Sequence, residues 1–250
     1  MPEHSTDALF LFTFVFKQAL NDLSLWVDSL SSTPEGKAKY MDILQKACMT
    51  VDTDGSVLWD MRKGPSKSVY TYVFTQPAAE SLTVYGKFGE DQGYYTEPLS
   101  ELEWTIAGNS TDTVLGYECF MAESDYHGRH WKAWFAPEIP LPYGPWKLHG
   151  LPGLILKAEA DGGFTFEATG LENSNRTISP MYLAGDYAKV DRKKALQDAE
   201  YFMNNEASIL NAQGQKVKIC MYDDDGNEIE VPEYDGLRHN LEPDYKLKSK

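Results

Sequence analysis

Cysteine is scarce in this 250-residue sequence: Cys48, Cys119 and Cys220 are the only three, with no CxxC pair among them. A framework of several disulfides is therefore excluded, while one bridge or three free thiols both stay open. Positive charge is also in short supply. Lys and Arg number 23 against 38 Asp and Glu, a net charge of −15. With no concentrated basic patch, such a chain repels phosphate backbones and anionic lipid, which argues against nucleic acid as a partner. The apolar run Ala8–Phe16 falls far short of the roughly 20 residues a membrane-spanning helix needs. Its flank, Met1 to Asp7, is acidic where a secretory signal needs positive charge, so no clear signal peptide is recognised. There is no G-x-S-x-G, no P-loop and no G-x-G-x-x-G before a helix. No cofactor is implied.

What is present is aromatic. Fifteen Tyr, 11 Phe and 6 Trp favour strands and half-wet surfaces. Phe10, Phe12, Phe14 and Phe16 alternate, which predicts a strand over 8–17 rather than a signal core. A short helix is one reading of 36–47, although a strand from Ile43 also fits. From residue 51 the period is two, giving strands at 56–61, 69–75 and 82–88. Leu102, Trp104 and Ile106 alternate with polar residues, and 107–112 reads as a polar turn. Strands at 115–122 and 130–135 are joined across a turn at 124–128. Leu154–Ala158 and Phe164–Ala168 form a hairpin around Asp161-Gly162-Gly163. Asp191 caps a helix whose apolar stripe is Leu196, Ala199 and Met203, ended by Asn204-Asn205. Val217, Ile219 and Met221 alternate in a late strand. With no repeat and no linker-like stretch, these elements predict a mainly β fold. It is a single antiparallel domain over 1–250, a sandwich or curved half-barrel, with one helix near 191–204 and frayed tails near 1–6 and 243–250.

One stretch organises the chain: Gly144-Pro145-Trp146-Lys147-Leu148-His149-Gly150-Leu151-Pro152-Gly153-Leu154-Ile155-Leu156. Pro152-Gly153 suits a type II turn with positive φ at the glycine. Before it, 136–145 holds four prolines and cannot donate a full ladder, so it is an ordered loop or an edge. The whole reads as a stiff connector, with Trp146, Leu148 and Leu151 as candidates to plug the core.

The residues able to carry chemistry are few. His127 and His130, in His-Gly-Arg-His, could share an ion with Asp125 only if the Gly128 turn bends them together; otherwise this is a polar turn with Arg129 solvated. His149, near Glu138 in sequence, reads as a loop histidine satisfied by backbone rather than half of an acid–base pair. Cys119 lacks any feature that lowers a thiol pKa and reads as a core residue or half of a disulfide. These roles predict that replacing His127, His130 and His149 together leaves the fold intact. Asp223-Asp224-Asp225-Gly226 fails as a calcium loop, since Met221 and Pro232 would fill positions that need carboxylates; a hairpin turn suffices. Asn109 and Asn175 open glycosylation sequons that matter only in a eukaryotic secretory route.

Gly150-Leu-Pro-Gly-Leu-Ile155, with Gly144-Pro145-Trp146-Lys147 before it, resembles the signature of the GLPGLI family, uncharacterised proteins of Bacteroidota. Gly116-Tyr117-Glu118-Cys119, Gly128-Arg129, Ala133-Trp134-Phe135 and Pro137-Glu-Ile-Pro140 are similar to that family's central block, in the same order. Glu97-Pro98-Leu99 with Trp104-Thr-Ile106 looks like its preceding strand, and Asn240-Leu-Glu242 like its closing segment. The resemblance spans about 95–172 and is looser beyond. It implies a periplasmic, outer-membrane-associated or secreted location, and it brings no catalytic residues. The resulting expectation is a non-enzymatic β-rich protein that binds a ligand or protein partner. The alternative is a hydrolase or metal-dependent enzyme using Cys119, His127, His130 or His149.

Overall fold

The computed structural model describes residues 34–51, 53, 57–60, 63, 71–171, 186–214, 217–223 and 225–246. The strand expected at 8–17 and the sequon at Asn175 lie outside them. In chain order the elements are α1 (Pro34–Cys48), β1 (Met49–Val51), β2 (Val57–Trp59), β3 (Thr71–Gln76), β4 (Ser81–Phe88), β5 (Asp91–Pro98), β6 (Thr105–Val114), β7 (Tyr117–Tyr126), β8 (Arg129–Ala136), β9 (Leu154–Ala160) and β10 (Phe164–Glu167). There follow β11 (Ala188–Lys189), α2 (Arg192–Ala212), β12 (Met221–Tyr222), β13 (Glu228–Ile229) and α3 (Gly236–His239), with short 3₁₀ turns at Pro77–Ala79, Leu99–Glu101 and Pro243–Tyr245. The fold is mainly β and largely antiparallel. Its sheets run β10-β9-β8-β7-β6, β11-β5-β4-β3, β1-β2 and β12-β13. Only β11 with β5 is parallel among the registers described. No described helix is long and apolar enough to cross a membrane.

The chain divides into two compact units. The first, whose described residues are 73–84 and 96–171, holds the five-stranded sheet. Two-residue turns set its registers: Val114 pairs with Tyr117 and Tyr126 with Arg129. Both turn residues have positive φ in each, 51° and 84° at Leu115-Gly116, 51° and 85° at His127-Gly128. That is the geometry matching the right-handed twist of paired strands, and histidine tolerates the left-handed region better than most non-glycine residues. The turn expected over 124–128 is thus tighter than the sequence implied. The polar turn expected at 107–112 is instead part of β6, with a register irregularity between Ile106 and Thr111. Pairing with β7 on either side, at Thr105-Ile106 and Thr111–Val114, carries the strand across Ala107–Ser110, and at a sheet edge polar side chains need no cover.

The hairpin predicted around Asp161-Gly162-Gly163 is present, with Phe164 opposite Ala160 and Phe166 opposite Ala158. Ala122, Ala133 and Ala158, all fully buried, line up across three strands of the sheet. A second apolar cluster contains Val114, Cys119, Trp134, Ala136, Leu154, Leu156 and Ala168.

The second unit contains the described parts of 34–72, then 85–95 and 186–246. Its α1 matches the helical reading of 36–47. In α2 the Asp191 carboxylate accepts from Lys194 N at 2.9 Å, the predicted cap. The helix does not stop at Asn204-Asn205 but runs to Ala212, and Gly214, at φ 88°, follows its C-terminus. Neither asparagine breaks it, because Asn204 bonds outward to the Tyr234 backbone and Asn205 bonds back to Tyr201 O. Ala195 and Leu196 are its buried residues, whereas Met203, expected on the apolar stripe, is 57% exposed. The late strand shrinks to β12 with β13, closed by Asp223 accepting from Asn227 N, a hairpin turn as expected. The tail predicted to fray is packed at 242–246. Arg192 pairs with Asp244 and Glu242, and Tyr245, 6% exposed, donates to Glu200.

Candidate functional site

Residues 136–153 form a strap that leaves β8 and returns to β9. Its prolines remove donors, and several of the remaining N–H groups are used: Leu148 N donates to Pro145 O and Gly150 N to Pro142 O, while at the start of β9 Leu154 N donates to Ile139 O and Ile155 N to Tyr143 O. An isolated bridge ties Tyr143 to His149. The ordered loop inferred from the prolines is what is found. The type II turn at Pro152-Gly153 is not: positive φ falls on Trp146 (54°) and Gly150 (89°) instead. Gly153 is required by close approach, since a Cβ there would lie 2.4 Å from Ala136 O. Leu148 and Leu151 plug the core at 1% and 2% exposure. Trp146 is half-buried, its ring stacked on Trp131 at 5.4 Å.

Within the strap, Lys147 is the one fully buried lysine side chain among the described residues. Its Nζ lies 2.5 Å from Glu97 Oε2, at the end of β5. The other carboxylate oxygen, Oε1, lies 2.8 Å from His127 Nε2, on the β7–β8 turn. Side-chain exposures are 0% for Lys147, 5% for Glu97 and 7% for His127. Burial alone would raise the Glu97 carboxyl. Hydrogen bonding to His127 and the charges of Lys147 and His127 outweigh it and hold the group below its usual range. Aromatic rings enclose the group: Tyr126 stands 4.0 Å and Trp146 6.5 Å from the His127 ring, and the Lys147 ammonium is 5.4 Å from the Trp146 centroid.

His127 and His130 therefore part company. His127 turns inward to Glu97, while His130, half exposed, places Nδ1 2.8 Å from Asp125 Oδ1 and Nε2 3.9 Å from Glu123 Oε1. Asp125, the expected third ligand of a shared ion, serves His130 alone. Arg129 is not solvated but 6% exposed, its guanidinium 4.8 Å from the Phe164 ring. His149 is satisfied by backbone, as its loop position implied: Nδ1 faces Lys147 O at 2.7 Å and Nε2 faces Leu99 O at 3.1 Å. The Trp104 indole donates to His149 O at 2.7 Å.

Cys119 is fully buried, donates to Tyr117 O at 3.6 Å, and has its thiol pKa pushed up by burial. All three cysteines are free. Trp134 carries the Lys157 ammonium 4.5 Å from its ring centroid, Pro145, Leu154 and Ile155 are buried, Gly144 is close-packed against Ile155, and Pro140 and Pro152 are exposed.

The arrangement can do two things chemically. A carboxylate bound on one side by an ammonium and on the other by an imidazole pins three chain segments together. The same carboxylate and imidazole are donor types that suit zinc-like ions and acid–base work. Sequence reasoning missed Glu97 and gave Lys147 no role of its own. The signal was the alternation Gly93, Tyr95, Glu97, all buried on β5, which places Glu97 on the inner face.

No family model matches the chain, and neither does any curated protein. Among solved structures, it is similar to PNGF-II in two crystal forms, C2 and P2₁. Each is 14% identical with a TM-score of 0.44, over 57% and 58% of this chain. The chain spans 27% and 28% of those chains' length. No residue role is carried across from them.

Proposed function

We propose that this chain belongs to the GLPGLI family and is a non-enzymatic envelope or secreted protein that binds a ligand or protein partner. One observation carries the reading: the side chains best suited to chemistry are committed to holding the first unit together. Cys119 is enclosed, His149 faces two main-chain carbonyls, and Glu97 lies between Lys147 and His127. The Gly150–Ile155 signature supports the family. The test runs two assays on the purified chain. It is screened for hydrolysis of ester, peptide and phosphoester substrates with bound metal measured, and by thermal shift against soluble glycans, peptides and lipids. The expected result is no turnover and a saturable rise in Tm with one ligand class. Turnover abolished by His127→Ala would overturn the reading. Cell fractionation of the native protein tests the location.

A second reading, a hydrolase or metal-dependent enzyme, draws on one contact, the 2.8 Å approach of His127 to Glu97. It predicts stoichiometric metal or turnover in the same assay.

A further inference from the structure

Ser124 and Trp131 stand directly opposite each other on β7 and β8, so their side chains share a face of the sheet. Ser124 is 7% exposed and Trp131 is wholly buried. Among the described residues, neither the Ser124 hydroxyl nor the Trp131 indole nitrogen has a hydrogen-bond partner. Ala160 pairs with Trp131; of the two adjacent rows on that face, Ala122, Ala133 and Ala158 offer no polar side chain, and the other row is Tyr126 with Arg129. The Trp131 ring stacks on Trp146 at 5.4 Å with an interplanar angle of 27°, and on Phe166 at 6.1 Å and 18°. Stacking uses the ring faces and leaves the N–H edge to find its own acceptor.

A buried donor left unmade costs about 1–3 kcal/mol, and native interiors meet such groups with protein or ordered water. Here two occur on directly paired residues. The indole can only donate, whereas the hydroxyl both donates and accepts. Their common partner must accept from Trp131 and bond Ser124. A water molecule meets both demands without bringing an ion into a buried site.

We propose that Ser124 Oγ and Trp131 Nε1 together bind one internal water molecule, which fixes the plane of the Trp131 indole. The consequence reaches the strap. Trp146, whose φ is 54°, stacks on Trp131, so the plane of the Trp131 indole is one of the surfaces that position it.

A crystal structure of the full chain at about 1.5 Å tests this. One water oxygen is expected within about 3 Å of both atoms. Empty density there, or a water bonded to only one of the two, overturns the proposal. In solution, the Trp131 indole proton should show a cross-peak to a long-lived water that is lost in Ser124→Ala, a variant small enough for the site. The same cross-peak at undiminished intensity in the folded variant overturns the shared site. Trp131→Phe supplies the second arm: water retained beside Ser124 in its crystal structure overturns the indole's part.

Discussion

Lys147 Nζ and Glu97 Oε2 meet at 2.5 Å, with side chains 0% and 5% exposed, although 50 residues separate them in sequence. Two opposite charges enclosed in this way gain little over a well-packed apolar pair, but neither tolerates loss of the other. Lys147→Met and Glu97→Leu should therefore each destabilise the protein by about 3–5 kcal/mol. The double variant Lys147→Met with Glu97→Leu should recover a large part of that. Urea denaturation of the four species closes the cycle, and strictly additive losses would show that the two side chains are not coupled.

Acid should expose the same carboxylate. Glu97 is held below its usual value of 4.5, so the folded protein binds this proton less tightly than the unfolded chain. Its contribution is fully present above that value and is lost as pH falls through the lower folded one. Stability measured from neutral to acid pH should drop in that window. Glu97→Gln should be less stable at neutral pH, with a shallower acid limb. An unchanged limb in the variant would assign the acid sensitivity to other carboxylates.

Gly153→Ala should be among the most damaging single-methyl additions in the chain. The added carbon would lie 2.4 Å from Ala136 O and 2.6 Å from Ala136 C, backbone atoms that cannot swing aside. Overpacking of this kind costs about 3 kcal/mol. Gly170→Ala meets nothing within 4 Å and should stay within about 0.5 kcal/mol of the parent. Thermal melts of the two variants provide the contrast.

The histidines should separate by burial. His130→Ala, on a half-exposed side chain, should change stability by no more than about 0.5 kcal/mol. His149→Ala removes the buried ring that faces the Lys147 and Leu99 carbonyls and should cost about 2 kcal/mol. From sequence alone, replacing His127, His130 and His149 together is expected to leave the fold intact; the burial of His127 and His149 predicts instead a loss of stability in variants of those two. Chemical denaturation of the single variants decides it.

Thiol titration distinguishes the cysteines. The native protein should react first at Cys220, which is partly exposed, while Cys119 and Cys48 stay protected until unfolding releases three thiols. For Cys119 the raised pKa adds to the protection, because the thiolate is the reacting species. Recovery of only one thiol in denaturant would reveal a bridge.

By itself the sequence determined the local pieces whose cause lies within a few residues. Alternation made the strands, Asp161-Gly162-Gly163 closed the β9–β10 hairpin, Asp191 capped α2, and the prolines of 136–145 required an ordered loop. Tertiary structure decided what depends on partners far along the chain. β6 is a strand because β7 offers it a ladder, α2 passes Asn204-Asn205 because the Asn204 amide bonds the Tyr234 backbone and the Asn205 amide bonds back to Tyr201 O, and 242–246 is packed because Arg192 and Glu200 hold it. The buried group is the sharpest case. No spacing rule relates residues 97, 127 and 147, since β-pairing and the strap's path bring them together. Ion pairing depends on distance in space, and sequence separation carries none of that information.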